Sequence, residues 1–245
     1  MGLGSRAFYR TMWTLSYLVA KVLFRVRIVH KERVPADRPF VLAPIHRSYL
    51  DTPVGGMVTT RQLRFLSKES IWNSRLGGRL VTLLGGFPVE RGSADRAALR
   101  ACEEVLHRGE SMVMFPEGTR QYGPVVEAAK MHAGPAFVAA RAGVPIVPMG
   151  IAGTDRAMPH GARWVRPVKV VVVVGNPIIP PVVVGRVPRR LVDELTEELR
   201  RAIQEAFDEA QDLAGRSFRC PGKGSAPLGG RLGGLREVVQ GRQRF

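Results

Sequence analysis

Short apolar runs alternate along the chain with longer segments in which apolar residues recur at helical spacing. The apolar runs predict strands over residues 40–44, 63–66, 87–89, 111–115 and 144–151. An unbroken valine run over residues 170–174 is the strongest strand signal, because β-branched side chains favour extended backbone. Strands that alternate with helices predict an α/β domain in which a mixed β-sheet is flanked by helices.

Helical spacing is clear in three places. Apolar residues fall on one face over residues 93–107, and Gly109 follows as a stop signal. A helix rich in small residues is predicted over residues 134–142, closed by Gly143. A long amphipathic helix is predicted over residues 189–213. Its apolar stripe consists of Leu191, Leu195, Leu199, Ile203 and Phe207.

The first segment of the chain, residues 7–26, is rich in apolar and aromatic residues. A spanning helix needs roughly 20 consecutive apolar residues, and Arg10 and Lys21 interrupt this run. The segment also lacks the cleavage motif of a signal peptide. Aromatic residues with spaced cations suit a helix in the membrane interface, and an ordinary helix covering the sheet is the alternative. We predict an N-terminal amphipathic, membrane-contacting helix within a membrane-associating segment, residues 1–33.

The rest of the chain divides by composition. Apolar residues make up 45% of the 245 residues, which predicts one globular domain over residues 34–214. From residue 215 to 245, Gly, Arg and Pro dominate without apolar periodicity. This composition predicts a flexible basic tail.

Charge narrows the choice of partners. The formal net charge is +16, which favours an anionic partner such as a phosphate, a nucleic acid or an acidic membrane face. The basic excess is mostly Arg in a chain rich in Gly, Ala and Val, so compositional drift is an alternative. The two cysteines, Cys102 and Cys220, and the five histidines lack metal-ligand spacing. We therefore predict no metal site and no disulfide framework.

His46 and Asp51 form the first candidate site, just after the predicted strand 40–44. Five positions on a helix turn through about 140°, so the two side chains cannot share a helical face. They can meet if His46 lies in a loop and Asp51 lies at the start of the next helix. A carboxylate bound to one ring nitrogen would leave the other nitrogen basic, able to take a proton from an alcohol.

The same residues also have a structural interpretation. Ser48 and Asp51 have the spacing of a helix capping box, so Asp51 could be a capping residue alone. His46 could be a hydrogen-bonded loop residue. The sequence alone leaves both interpretations open.

Arg91 is the second candidate, at the end of the strand-like segment 87–91 and before a glycine. A guanidinium there could bind a phosphate in bidentate fashion. The alternative is a solvated arginine paired with Glu90 or Asp95.

The third candidate is the string Phe-Pro-Glu-Gly-Thr-Arg over residues 115–120, at the carboxyl end of a predicted buried strand. Ligand sites of open α/β sheets lie at such ends. Glu117 could accept from a hydroxyl or hold an arginine, and Gly118 permits close backbone approach. Thr119 and Arg120 could donate to a phosphate or a thioester. Alternatively, Glu117 and Arg120 pair with each other in a surface turn.

Four short blocks together resemble the motifs of one enzyme family. They are His46-x4-Asp51 and residues 86–91, 115–120 and 144–148. In this order they are similar to the motifs of the lysophosphatidate (1-acyl-sn-glycerol-3-phosphate) acyltransferase family, and the string 115–120 is the most specific. The resemblance implies a glycerol-3-phosphate acyltransferase-like fold, with residues 34–214 as the acyltransferase domain. The fourth block would lie near the acyl donor, or it is a simple edge strand.

The resemblance also implies roles for the first block. His46 would be the general base on the acceptor hydroxyl, and Asp51 would orient it. Ser48 is a weaker site candidate because it is close to His46. Many family members carry a polar residue, often Asn, where this chain has Ile45.

The other blocks imply binding of the acceptor. Lys130 is a weaker candidate for a phosphate contact, since it stands near the position of a family lysine with a different spacing to the next glycine. The implied acceptor-binding residues, for phosphate or glycerol, are Arg91, Glu117, Gly118, Thr119 and Arg120.

The implied reaction is acyl transfer from acyl-CoA or acyl-carrier protein to the hydroxyl of 1-acylglycerol-3-phosphate, without a cofactor. The implied partners are that lysophospholipid, the donor and an anionic membrane surface, with the protein peripheral or monotopic on the cytoplasmic face. Glycerol-3-phosphate, another lysophospholipid or a membrane glycolipid are alternative acceptors. A non-enzymatic protein that binds anionic membranes is a remote alternative. The tail has few aromatic residues for base stacking, so we expect no nucleic-acid partner.

Overall fold

The structure, a computed structural model, describes residues 3–89, 95–159, 161–183 and 185–215. Its strands are β1 (Arg27–Val29), β2 (Val41–Pro44), β3 (Leu63–Lys68), β4 (Gly86–Val89), β5 (Ser111–Val113), β6 (Ile146–Ala152) and β7 (Val171–Val174). They form one seven-stranded sheet in the order β1-β7-β6-β2-β5-β3-β4. The strands β6, β2, β5, β3 and β4 are mutually parallel, and β7 runs antiparallel to β6. The predicted mixed sheet is confirmed.

The helices are α1 (Leu3–Leu23), α2 (Asp51–Gly55), α3 (Arg75–Leu83), α4 (Asp95–His107), α5 (Gly134–Ala142), α6 (Thr154–Ala157) and α7 (Arg189–Leu213). The helices α5 and α7 have the predicted bounds. Gly143 follows α5 with a φ of 65°, the left-handed conformation expected of a glycine that ends a helix. The helices α3 and α6 were not predicted.

The sheet differs from the prediction in two places. The strand β1 pairs with β7 from Arg27 to Val29, so the segment 1–33 contributes to the sheet in addition to any membrane contact. The strand β6, which contains most of the fourth block, lies between β2 and β7 and is not an edge strand. The predicted tail lies almost wholly outside the described residues, which end at residue 215.

The helix α7 packs on β6 with almost nothing between the two backbones. A Cβ added at Gly150 would lie 2.2 Å from the backbone carbon and oxygen of Ala206, so a larger residue at 150 would push the helix off the strand. Leu195, Leu199 and Ile203, on the predicted apolar stripe, are buried. This close contact holds α7 against one face of the sheet near the carboxyl end of β6.

The helix α1 packs with one side against α2, α3 and the short segment Gly56–Val58, and it exposes apolar residues on another side. Trp13 donates its indole N–H to the Gly56 carbonyl at 3.1 Å, and Ala20 and Phe24 are buried. The exposed apolar residues of α1 are Leu15, Leu18, Val19 and Val22. In the part of the chain that the structure describes, no helix is long and apolar enough to cross a membrane.

Candidate active site

The candidate site lies where three neighbouring parallel strands end. The strand β2 leads into the loop of His46, β5 leads toward Glu117, and β6 leads to Thr154. Because β2 lies between β5 and β6, these three loops meet at the same edge of the sheet. We call this edge the catalytic edge.

The structure brings His46 and Asp51 together in the predicted way. Asp51 is the first residue of α2, and its Oδ2 lies 3.2 Å from Nδ1 of His46. Since a carboxylate only accepts, this contact requires a proton on Nδ1, and in the neutral imidazole the lone pair is then on Nε2. The His46 ring also contacts Phe115, with the ring centroids 4.1 Å apart.

Asp51 also organises the loop that carries the histidine. Its Oδ2 accepts from the backbone N–H groups of Arg47, at 2.5 Å, and Ser48, at 2.6 Å. The Ser48 hydroxyl donates to the Met158 carbonyl at 3.3 Å and accepts from the Leu50 N–H at 3.4 Å. Neither Ser48 nor Asp51 caps α2, whose N-cap residue is Leu50 without a side-chain cap. The buried carboxylate of Asp51 instead binds both the His46 ring and the backbone of the loop before the helix.

Thr154 completes the environment of Asp51 and was not predicted from the sequence. Its hydroxyl donates to Oδ1 of Asp51 at 2.6 Å, and both residues are fully buried. The only signal in the sequence is a hydroxyl residue that follows Gly153 after a predicted strand. That signal becomes informative only when β6 is known to be the neighbour of β2.

Replacement of Thr154 by valine keeps the shape of the side chain and removes the hydroxyl. We expect a loss of unfolding free energy of about 1–3 kcal/mol, since a buried carboxylate oxygen loses its partner. We also expect a lower kcat, because Asp51 becomes free to rotate away from His46. Urea denaturation and initial rates measure the two effects. Thr154→Ser, which keeps the hydroxyl, should stay near wild type in both, and an equal loss in the two variants would contradict this role.

Glu117 and Arg47 form a buried ion pair behind the histidine. Arg47 Nη1 lies 2.7 Å from Oε1 and 2.8 Å from Oε2 of Glu117, and Oε2 also accepts from the His46 N–H at 2.9 Å. The other guanidinium nitrogens donate to the carbonyls of Gly123 and Val125. The pair therefore joins the loop after β2 to the loop after β5.

This geometry changes the role expected of Glu117. Its side chain is 2% exposed, and both carboxylate oxygens are occupied by protein donors. The residue thus holds an arginine, one of the two options that the sequence left open, and its partner is Arg47. It does not pair with Arg120, and it is not exposed at the surface of the catalytic edge.

Gly118, Thr119 and Arg120 reach the surface at the catalytic edge. Gly118 has a φ of 64°, and a Cβ there would lie 2.8 Å from the His132 ring, so glycine is needed for both conformation and space. The Arg120 guanidinium lies 3.6 Å from the centroid of the exposed Tyr49 ring. No residue that the structure describes forms a salt bridge with Arg120, so its charge is available to an anion.

One further candidate, Lys130, is not brought to the site. Lys130 donates to Glu127 at 2.8 Å within an exposed short helix, which occupies its ammonium group. Arg91 lies outside the described residues, although β4 ends just before it.

Alternative chemistries find no support among the described residues. No three His, Cys, Asp or Glu side chains there are grouped as metal ligands. Burial raises the pKa of the Cys102 thiol to about 12, so this thiol is protonated at neutral pH and is not an activated nucleophile.

Comparison with known proteins agrees with this geometry. Residues 25–152 match the model of the Acyltransferase family. The chain is 32% identical over 163 residues to a 1-acyl-sn-glycerol-3-phosphate acyltransferase of Chlamydomonas reinhardtii, which covers 64% of this chain and 48% of the relative. It is 33% identical over 142 residues to the lyso-ornithine lipid O-acyltransferase of Pseudomonas aeruginosa, with 58% and 52% covered. The chain thus spans about half the length of these curated relatives.

A solved structure is similar over most of both chains. The crystal structure of the 1-acyl-sn-glycerophosphate acyltransferase from Thermotoga maritima matches with a TM-score of 0.66 and 26% sequence identity. The match covers 82% of this chain and 80% of that one. The similarity therefore includes the sheet and the helices around it as well as the short motifs.

Proposed function

The chain belongs to the Acyltransferase family, and we propose that it moves a fatty acyl group from acyl-CoA or acyl-carrier protein to the free hydroxyl of 1-acylglycerol-3-phosphate, giving phosphatidate. The observation that carries this proposal is the 3.2 Å contact between His46 and Asp51 at the catalytic edge. The relatives from Chlamydomonas reinhardtii and Thermotoga maritima support the acceptor by their names. The reaction requires no cofactor besides the thioester co-substrate.

The proposed chemistry is direct transfer without an acyl-enzyme. Nε2 of His46 takes the proton of the acceptor hydroxyl while the oxygen attacks the thioester carbonyl carbon. The tetrahedral intermediate collapses with cleavage of the carbon–sulfur bond, and the imidazolium returns its proton to the leaving thiolate. Asp51 stabilises the transient imidazolium, as in other base–carboxylate pairs.

Arg120 is the residue that we propose for the acceptor phosphate, with Thr119 beside it. The guanidinium is held at the catalytic edge by Tyr49 and remains free for an anion. Arg91 is proposed for the same phosphate from its position after β4. Gly118 keeps the backbone of this loop close to the bound group.

A panel of acceptors tests both the function and the phosphate site. With purified protein, radiolabelled acyl-CoA should be consumed with lysophosphatidate, and a neutral monoacylglycerol should be a poor acceptor. Arg120→Gln should raise KM for lysophosphatidate about tenfold or more, the loss expected for a hydrogen bond to a charged group, and should leave KM for the neutral acceptor unchanged. Arg108→Gln is the matched control, because Arg108 precedes β5 at the opposite edge of the sheet.

The outcomes of this panel are distinct. No turnover with any lysophospholipid would contradict the proposed function. Equal KM changes for the phosphate and neutral acceptors would remove Arg120 from the phosphate site. Preferred turnover of lyso-ornithine lipid would favour the second candidate acceptor, which the Pseudomonas aeruginosa relative suggests by name.

We propose that α1 holds the protein at the cytoplasmic face of a membrane as a peripheral or monotopic protein. The exposed apolar residues of α1 support this location, since Val22 is 82% exposed, follows Lys21 directly and lies three residues before Arg25. An anionic membrane surface would complement the net charge of +16. The acyltransferase domain over residues 34–214 would then receive strand β1 from the N-terminal segment.

A further inference from the structure

A second exposed surface with membrane chemistry lies in the loop between α6 and β7. Residues 161–169, which we call the Trp164 loop, contain Trp164, with 83% of its surface exposed, and the exposed Val165. Arg163 and Arg166 flank these two residues and are exposed. Neither arginine forms a salt bridge with a residue in the described ranges. A large aromatic side chain in water between two free cations is not explained by the packing of the domain.

The second half of the Trp164 loop is fixed to the body of the protein. The Arg166 N–H donates to the Ala157 carbonyl at 2.8 Å, and Lys169 donates to the Leu213 carbonyl at 2.8 Å. Val170, which follows the loop, donates to the Phe24 carbonyl at 3.0 Å. The exposed Trp164 is therefore presented by an anchored loop, and its second end is joined to the end of α1.

The position of the loop connects it to the catalytic edge. It follows α6, which begins with the threonine that binds Asp51. Met158, just after α6, accepts from the Ser48 hydroxyl at 3.3 Å. A surface that captured the Trp164 loop would hold the His46 loop close to that surface.

We propose that the Trp164 loop is a second membrane-docking element, which binds a bilayer containing anionic lipids and turns the catalytic edge toward it. Trp is the side chain that favours the headgroup region, where its ring is half-buried and its N–H stays hydrated. Arg163 and Arg166 supply the positive charge that anionic headgroups attract. Through Val170 the loop is also hydrogen-bonded to Phe24, next to the end of α1, the helix whose exposed apolar residues we propose as the first membrane contact.

Vesicle binding by the full chain tests this proposal without any measurement of turnover, so its result is independent of the proposed reaction. Sedimentation is measured with vesicles of phosphatidylcholine alone and with one third phosphatidylglycerol. Trp164→Ser should weaken binding to the anionic vesicles about fivefold or more, through loss of buried apolar area. Arg163→Gln with Arg166→Gln should weaken it about 25-fold at low salt, from about fivefold for each charge, with little change on phosphatidylcholine.

The matched control is Val182→Ser. Val182 is 92% exposed. It lies four residues after Ile178, which pairs with Ile146 at the start of β6, and the start of β6 is at the opposite edge of the sheet from the site. This variant should bind as the wild type does. Val22→Gln in the same assay measures the separate contribution of α1.

Fluorescence gives a direct second measurement. The chain has three tryptophans, and brominated lipids quench those that enter the bilayer. Trp164→Phe should remove most of the quenchable emission. Equal vesicle binding by the Trp164→Ser and Val182→Ser variants would overturn the proposal, as would unchanged anionic binding by the double arginine variant. Thermal midpoints establish that each variant is folded.

Discussion

Replacement of His46 by alanine is expected to lower kcat about 10²–10⁴-fold, the usual contribution of a positioned general base. The acceptor hydroxyl would then lose its proton only to water, and the leaving thiolate would lose its acid. The loss should fall on kcat more than on KM, because the imidazole acts on the reacting atoms and Arg120 is proposed to hold the phosphate. Single-turnover transfer of a radiolabelled acyl group measures it.

The control for this variant is His107→Ala. His107 is exposed at the end of α4, at the edge from which β5 begins, so its removal should leave kcat unchanged. Circular dichroism and the thermal midpoint should be near wild type for both variants. Retained turnover in folded His46→Ala protein would exclude His46 as the base and leave the contact with Asp51 as a structural one.

Replacement of Arg47 by methionine is expected to have the largest effect on stability. The variant would leave the Glu117 carboxylate buried without its cation, and breaking one side of a buried ion pair costs about 3–5 kcal/mol of unfolding free energy. The carbonyls of Gly123 and Val125 would lose their donors as well. Urea denaturation measures this loss.

A double variant separates charge from packing. Arg47→Met combined with Glu117→Leu removes both charges, and it should recover much of the stability that Arg47→Met loses. Turnover should not recover with it, because Glu117→Leu removes the carboxylate that accepts from the His46 N–H. A loss below about 1 kcal/mol for Arg47→Met would show that the pair is hydrated like a surface salt bridge.

The sequence predicted those elements whose signals are local and strong. The helices α5 and α7 have the predicted bounds because a glycine ends one and a long apolar stripe marks the other. The strand β1 has three residues and depends on pairing with β7, far along the chain. Of the helices that were missed, α6 has four residues, and α3 contains Gly77 and Gly78, which disfavour a helix.

In the candidate site, too, local contacts were predictable from the sequence and contacts between distant residues were not. The contact between His46 and Asp51 was predictable because five residues of chain constrain it. The contacts of Thr154 with Asp51 and of Arg47 with Glu117 span 103 and 70 residues. They depend on which strands are neighbours of β2, and no local pattern encodes that order. The sequence could therefore suggest that Glu117 holds an arginine without identifying which one.

The buried ion pair between Glu117 and Arg47 has a consequence for the inheritance of these motifs. Two loops that are far apart in the gene share one buried carboxylate, so neither can be exchanged alone between relatives. A chimera that takes residues 45–51 from a family member without an arginine at position 47 should fold poorly unless residues 115–125 come with them. Recombination can therefore exchange the two loops without loss of stability only when they are exchanged together. We expect acceptor preference to change only when both loops are exchanged.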